Sequence, residues 1–355
     1  MGAAVLDHPV DVATLAATAL CPLTRRIDED GYYPEDVLRA LGEAGAYGQH
    51  VADGPLGLAG AAEDMMRVGE VCGSTAFCVW CQDALGWYLA ASDNTVLRAR
   101  LLRQVASGAQ LGGTGLSNPM KAFAGLGDIA LKGERVRGGW RVRGRLPWVS
   151  NLGPDHLFAG IFTTGARAAM AVFSCAQDGL KLTDCAPFIA LEGTRTFGVQ
   201  MRDVFVPDDM VLAEDAAVFV PKIRQGFVLL QMGMALGAAH AAAHWMRRDG
   251  ATQTALAVLP LGPDEIDARA ALLQARLAER AREALDPARP AFLETLRLRL
   301  DGSQLALAAA QASLIAHGAR GYLKGSNAER VQREAHFAAI VSPSVKHILT
   351  ELHQG

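Results

Sequence analysis

The chain has 355 residues, of which 50% are hydrophobic and 20% charged, with 34 Lys plus Arg against 37 Asp plus Glu and a formal net charge of −3. So apolar and evenly charged a composition excludes bulk disorder, and the lack of a basic excess argues against a nucleic-acid partner. The length supports a large core in about two to three domains or layers.

The first residues, Met1-Gly2-Ala3-Ala4-Val5-Leu6, carry no early Lys or Arg, so a secretory signal is not expected. They open like a myristoylation site, but Leu6 stands where Ser or Thr is needed. Residues 1 to about 108 read as helical. Pro34-Glu35-Asp36 opens a helix with acids in its first turn, and Val37, Leu38, Leu41 and Ala44 follow at helical spacing. Ala61–Gly73 and Thr75–Ala91 are further helices, with Ser74 an expected N-cap between them, and Val96–Val105 is a shorter one.

From Leu111 to Leu212 the apolar runs shorten. Gly139–Arg143, His156–Phe162, Ala169–Phe173 and Val199–Val206 read as strands separated by Gly, Asp and Pro turns, as in a small antiparallel barrel or sandwich. The chain is helical again from Phe219. Gly226–Met246 is interrupted by Gln231, His240 and His244, and reads as a helix buried on all sides, not as a membrane span. Pro263 and Pro290 each start another helix. The class is α+β: an N-terminal helical domain (1–108), a central antiparallel β domain or β-barrel (109–213) and a C-terminal four-helix bundle (214–355).

Cys78 and Cys81 form a lone C-x-x-C with Cys72 nearby, inside an apolar run. No second ligand pair follows, so buried free thiols in a reducing, cytoplasmic compartment are expected, and no metal. His240 and His244 are i, i+4 neighbours without a Glu between them, which is no zinc helix.

Four pieces of sequence, taken in order, resemble the FAD-dependent acyl-CoA dehydrogenase family over most of the chain. Gly115-Leu116-Ser117-Asn118-Pro119 is similar to the family's Ala-Leu-Thr-Glu-Pro, and Trp148-Val149-Ser150-Asn151 to its Trp-Ile-Thr-Asn. Val204-Phe205-Val206-Pro207 with Val211-Leu212 looks like the exit from its β domain. Gly318-Ala319-Arg320-Gly321-Tyr322, then Glu329-Arg330 and Arg333-Glu334-Ala335, resembles Gly-Gly-x-Gly-Tyr…Glu-Arg…Arg-Asp-Ala.

The resemblance implies an FAD whose ring lies against Trp148, with Leu116, Ser117 and Ser150 offering backbone and hydroxyl groups to its polar edge. Gly318, Ala319 and Gly321 would meet the pyrophosphate of a second subunit's FAD, and Ser344 would join the cofactor set. A homo-oligomer, dimer or tetramer, follows from that sharing. The residues alone allow plainer readings, with Trp148 in a core and the glycines in a helix-ending turn.

The family's chemistry also needs a carboxylate base opposite the flavin. Counting on from Arg333-Glu334-Ala335, its position falls on Ser342, a hydroxyl with no evident partner base. A rarer arrangement places Glu on the first long helix after the β domain, yet Ala216–Met246 contains no Asp or Glu. The family's Gly-Ser-Asp after Pro119 is replaced by Met120–Gly125, and its Arg-x-x-Phe-Gly by Arg247-Arg248-Asp249-Gly250 and unrelated residues up to Pro260. Asp83, His336 and His347 are weak stand-ins for the base, each also consistent with a surface, capping or packing role. Three functions remain open: a divergent oxidoreductase acting on an acyl thioester or related acid, a flavin monooxygenase using reduced flavin and O2, or a catalytically silent flavoprotein or assembly subunit.

Overall fold

The computed structural model describes residues 10–250 and 256–354. The reading of the extreme N-terminus, and part of the stretch following Gly250, therefore lie outside the described residues.

The chain begins with short helices α1 (Val12–Leu15) and α2 (Thr24–Glu29), then α3 (Glu35–Glu43), α4 (Gln49–Ala52), α5 (Gly57–Val71), α6 (Gly73–Ala91) and α7 (Thr95–Ala106). Pro34 precedes α3, and its first turn holds Glu35 and Asp36 near the positive helix end. Val37, Leu38 and Leu41 bury the inner face of that helix. The expected cap at Ser74 is corrected: α6 starts at Gly73 after the extended Cys72, and Ser74 is buried inside the helix. The acceptor that a neighbouring side chain would have provided comes from far along the chain, where the Glu334 carboxylate accepts from the Gly73 N–H at 3.0 Å.

Eight strands follow: β1 (Gly112–Thr114), β2 (Leu131–Val136), β3 (Gly139–Val149), β4 (Leu157–Thr164), β5 (Arg167–Ser174), β6 (Leu180–Asp184), β7 (Phe197–Pro207) and β8 (Val211–Ala213). A short helix α8 (Ser117–Phe123) separates the first two. The sheet runs β6-β7-β3-β2-β4-β5-β8, with β1 pairing on β4. The expectation of a purely antiparallel barrel is corrected here. The β1–β4 and β2–β4 pairings are parallel, and among the described residues no ladder joins β6 to β8. Parallel neighbours need a crossover, which the connection from β2 through β3 and its following loop supplies. The inward residues form a core of their own, including Leu131, Val142, Phe158, Phe162, Phe173 and Val199.

The remaining helices are α9 (Ala216–Trp245), α10 (Pro263–Ala281), α11 (Arg289–His317), α12 (Asn327–Ile340) and α13 (Val345–Gln354). The apolar stretch Ala216–Asp249 is long enough to cross a membrane, but its most apolar window is 94% buried inside the protein. It is the central core helix. Gly237 lets it touch α5: a Cβ there would stand 2.8 Å from the Gly69 Cα. The indoles of Trp80 and Trp87 on α6 donate to the Phe227 and Ile223 carbonyls of α9, at 3.2 and 2.9 Å. Helical blocks and sheet thus meet along α6, α9 and α12.

Candidate functional site

The site assembles where α6 touches β1. Gln82, fully buried, donates to the Val105 and Gln110 carbonyls and accepts from the Gly112 N–H, each at 2.8 Å. This fixes β1 against α6. The turn after β3 then lies on β1 so closely that a Cβ on Gly113 would stand 2.2 Å from the Ser150 carbonyl oxygen. Leu116 and Ser117, which follow β1, and Trp148 and Ser150, which end β3, are therefore carried by touching elements. Leu116 is buried, whereas Ser117 is exposed and its hydroxyl has no hydrogen bond among the described residues.

Ser150 belongs to a row of hydroxyls that sequence reading missed. Its Oγ lies 2.6 Å from Thr196 Oγ1, which lies 2.8 Å from Thr194 Oγ1. Asn151 beside it adopts a left-handed backbone, φ 62°. Three bonds hold it there: its N–H donates to the Thr194 carbonyl, its Nδ2 to the Gly112 carbonyl, and its Oδ1 accepts from the Tyr33 hydroxyl at 2.6 Å. Leu191 and Arg195 are also left-handed, at 66° and 44°. Such residues cost about 1–3 kcal/mol each and persist where the surroundings over-determine them. Here Arg195 stacks over Tyr33 at 4.2 Å and pairs with Glu35 at 2.9 Å. Segment 185–196 carries no periodicity or motif that would have marked these residues.

Trp148 is 63% exposed, its ring edge-on to Phe188 at 6.3 Å between centroids. The core reading of this tryptophan is therefore excluded. Next to Phe188, Ile189 is 80% exposed, and its carbonyl accepts from Arg333 Nη1 on α12 at 3.0 Å. Arg333 also donates to Asp28 and Glu329, and its hydrogen bond to the Asp28 carboxylate, with these charges, pushes its guanidinium pKa further up. The tryptophan shelf is thus tied to α12 and stays open in the single chain. Two open surface clefts, of about 440 and 400 Å³, lie elsewhere: one by Arg67, His240 and Arg247, the other by Asn94, Glu214 and Lys222.

The helical side is aromatic. Phe77 stacks on Trp80 at 5.5 Å and meets Phe337 edge-on at 4.6 Å, while Trp80 packs on Phe227 at 5.0 Å. Phe227 occupies a stretch of α9 where the sequence has no acid. Ser342 is buried, and its carbonyl accepts from Gln231 Nε2 at 2.8 Å. Gln231 in turn accepts from Arg299 Nε at 3.0 Å. Arg299 is fully buried and also donates to Ser303 and to the Ala338 carbonyl, and among the described residues it pairs with no carboxylate. Burial pulls its pKa down to about 10. The surroundings of Ser342 thus hold an arginine rather than an acid.

The stand-ins for the base are scattered. Asp83 is fully buried, which corrects the expectation of a solvated or capping residue. Its Oδ1 lies 3.6 Å from His50 Nδ1, and neither side chain has a hydrogen-bond partner among the described residues. Burial pushes Asp83 well up and lowers His50 to about 4. His336 is exposed, its Nδ1 2.7 Å from the Gln332 carbonyl, one helical turn beyond Arg333. His347 is buried and bonds Glu351 at 3.3 Å within α13.

The glycine segment after α11 is not joined to the Trp148 cluster by any hydrogen bond among the described residues. Gly318 (φ 57°) and Ala319 are exposed, and a Cβ on Gly318 would meet open space. Gly321 is buried, and a Cβ there would stand 2.6 Å from the His317 Cβ, so its own turn requires glycine. Ser344 Oγ accepts from the His347 N–H at 3.3 Å and so caps α13. Cys72, Cys78 and Cys81 are buried free thiols, and no cluster fit for a metal occurs among the described residues. His240 bonds Asp267 at 2.9 Å instead of serving a zinc helix.

Residues 10–109 match the family model described as "Acyl-CoA dehydrogenase, N-terminal domain". The chain is 25% identical over 354 residues to the "Probable acyl-CoA dehydrogenase YngJ" of Bacillus subtilis (strain 168), covering 91% of this chain and 90% of that protein. Its fold is that of a glutaryl-CoA dehydrogenase from Mycobacterium smegmatis solved with FADH2, at a TM-score of 0.75, 15% identity, and 97% and 92% coverage. It is equally that of a KijD3 solved with FMN and dTDP-3-amino-2,3,6-trideoxy-4-keto-3-methyl-D-glucose, at a TM-score of 0.78, 19% identity, and 97% and 92% coverage.

Proposed function

We propose that the chain is an FAD-dependent oxidoreductase of the acyl-CoA dehydrogenase family whose active site lacks the usual carboxylate base, a reading supported by the family-model match over residues 10–109 and the similarity along the chain. One observation carries this reading: an uncovered Trp148 beside the Ser150–Thr196–Thr194 hydroxyl row, with Ser342 at the position where an acid is expected. An isoalloxazine needs a flat apolar wall and a few polar groups on its edge, and these residues fit it. Trp148 would form the wall. Ser117, Ser150 and the Leu116 backbone would hold the ring edge, and Ser344 would stand near the cofactor.

Gly318, Ala319 and Gly321 of a second copy would approach the pyrophosphate, which makes the enzyme a homo-oligomer, a dimer or tetramer. Bound FAD would supply the electron acceptor that the side chains lack. The chain's own part is to orient the ring, exclude water along the Phe77–Trp80–Phe337 wall and place the substrate. The substrate class is an acyl thioester, the compartment the cytoplasm. The three-part division at 108 and 213 belongs to the same reading, with the flavin where the parts meet.

The test is anaerobic. Protein loaded with FAD is mixed with a panel of acyl-CoAs while flavin absorbance is followed, and bleaching by at least one of them is expected. The vacant base favours a second reading, a monooxygenase of the same fold. Its outcome is no bleaching by any acyl-CoA, with oxygen consumed only when a flavin reductase is added. A protein that takes up no flavin is neither, and would be an assembly subunit.

A further inference from the structure

The outer face of the sheet carries charge that its own strands leave unmatched. Strands β2, β3, β7 and β6 lie side by side, and alternation turns Leu131, Val142, Leu146, Val199 and Met201 inward to the core. Their neighbours turn outward. Register sets Lys132 directly opposite Arg143, Arg145 opposite Gln200, and Gln200 opposite Lys181. Arg202 extends the same face, and all five cations are exposed. Among the described residues, none of the five has an acidic partner or a side-chain hydrogen bond. The acids facing outward here, Glu134 and Asp203, both belong to Arg141: one lies opposite it and the other pairs with it at 3.4 Å.

Like charges directly opposite each other on a sheet are destabilising. In a chain of net charge −3, a face that collects unpaired cations therefore works against its own fold. We propose that this face docks an acidic helix of a partner protein. Neighbouring strands are about 4.8 Å apart, so the four strands present cations across about 14 Å. Carboxylates one helical turn apart repeat every ~5.4 Å, close to that spacing. A helix laid across the strands can therefore set acids over cations on successive strands.

Arg145 and Trp148 are three residues apart on β3, about 10 Å along the strand. A partner seated here ends beside the proposed flavin shelf. The docking surface itself requires no flavin.

The experiment uses the full-length protein and a fluorescein-labelled helical peptide of about 15 residues, with Glu at every third or fourth position. A peptide of the same composition with its Glu residues clustered at one end is the control. The spaced peptide is expected to bind, its affinity falling with salt, and the clustered one to bind at least about tenfold more weakly. Arg143→Glu with Arg145→Glu should weaken the spaced peptide at least about tenfold while leaving thermal midpoint, flavin uptake and sedimentation unchanged. Equal binding of both peptides overturns the proposal, as does equal or stronger binding of duplex DNA or phosphatidylserine vesicles. A change in oligomer size on charge reversal would assign the face to a second copy of this chain and overturn it too.

Discussion

Asp83 and His50 form the least satisfied pair in the described interior. Both are fully buried, and all four of their polar side-chain atoms lack a hydrogen-bond partner. Burial raises the Asp83 pKa, so the folded chain holds a proton that the unfolded chain releases above about pH 4. The Asp83 contribution is therefore fully present below that pH and is lost as pH rises. His50 behaves oppositely: its pKa falls to about 4 when buried, so stability is lost as pH drops from about 6.5 towards 4. Asp83→Asn is expected to stabilise the protein at neutral pH by about 1–3 kcal/mol, the gain shrinking towards pH 4. Urea unfolding across that range reads it, and a constant loss at every pH would contradict the assignment. Nothing in the sequence marks this pair, since no motif joins His50 to Asp83 and contact depends on how α4 packs on α6. Trp148 was legible because a short motif names it, whereas Thr194 and Thr196 sit in an irregular segment whose positions only the folded sheet defines.

At the scale of elements, α12 is the fastener between helices and shelf. Glu334 accepts two bonds from Arg330, at 2.9 and 3.0 Å, and one from the first N–H of α6. Arg330 and Glu334 are 5% and 4% exposed, so the pair has little water to fall back on. Glu334→Ala leaves Arg330 buried without a partner and is expected to cost about 3–5 kcal/mol. The double variant Arg330→Met with Glu334→Leu replaces the pair by apolar packing and should cost clearly less. Urea midpoints decide this, and equal losses in the single and double variants would refute the pairing argument. Elements with strong local signals were readable: helices opened by Pro34, Pro263 and Pro290, and strands rich in β-branched and aromatic residues. β1, β2, β6 and β8 were not. Each is short or mostly polar, as in Gly112-Gly113-Thr114 or Leu180-Lys181-Leu182-Thr183-Asp184, and is held by its neighbours in the sheet. The parallel pairings on β4 join distant segments, which a local pattern cannot reveal.

For the whole molecule, the order of helical block, sheet and helical bundle was legible, and it places the shelf where the three meet. Several large apolar residues outside that shelf remain uncovered, including Tyr322 at 82%, Ile340 at 67% and Leu323 at 64% exposure. Tyr322 and Leu323 lie in and just after the glycine segment, and Ile340 at the far end of α12; such exposed apolar residues fit surfaces shared between copies. Sedimentation should accordingly give a dimer or tetramer at micromolar concentration. The Trp148 shelf is the claim on which the functional account rests. Equilibrium dialysis of FAD against wild type and Trp148→Ala, read by flavin absorbance, tests it most directly. Wild type is expected to retain flavin, and the variant to retain substantially less while unfolding at the same urea concentration. Wild type that stays colourless, or a variant that holds flavin equally well, would contradict it.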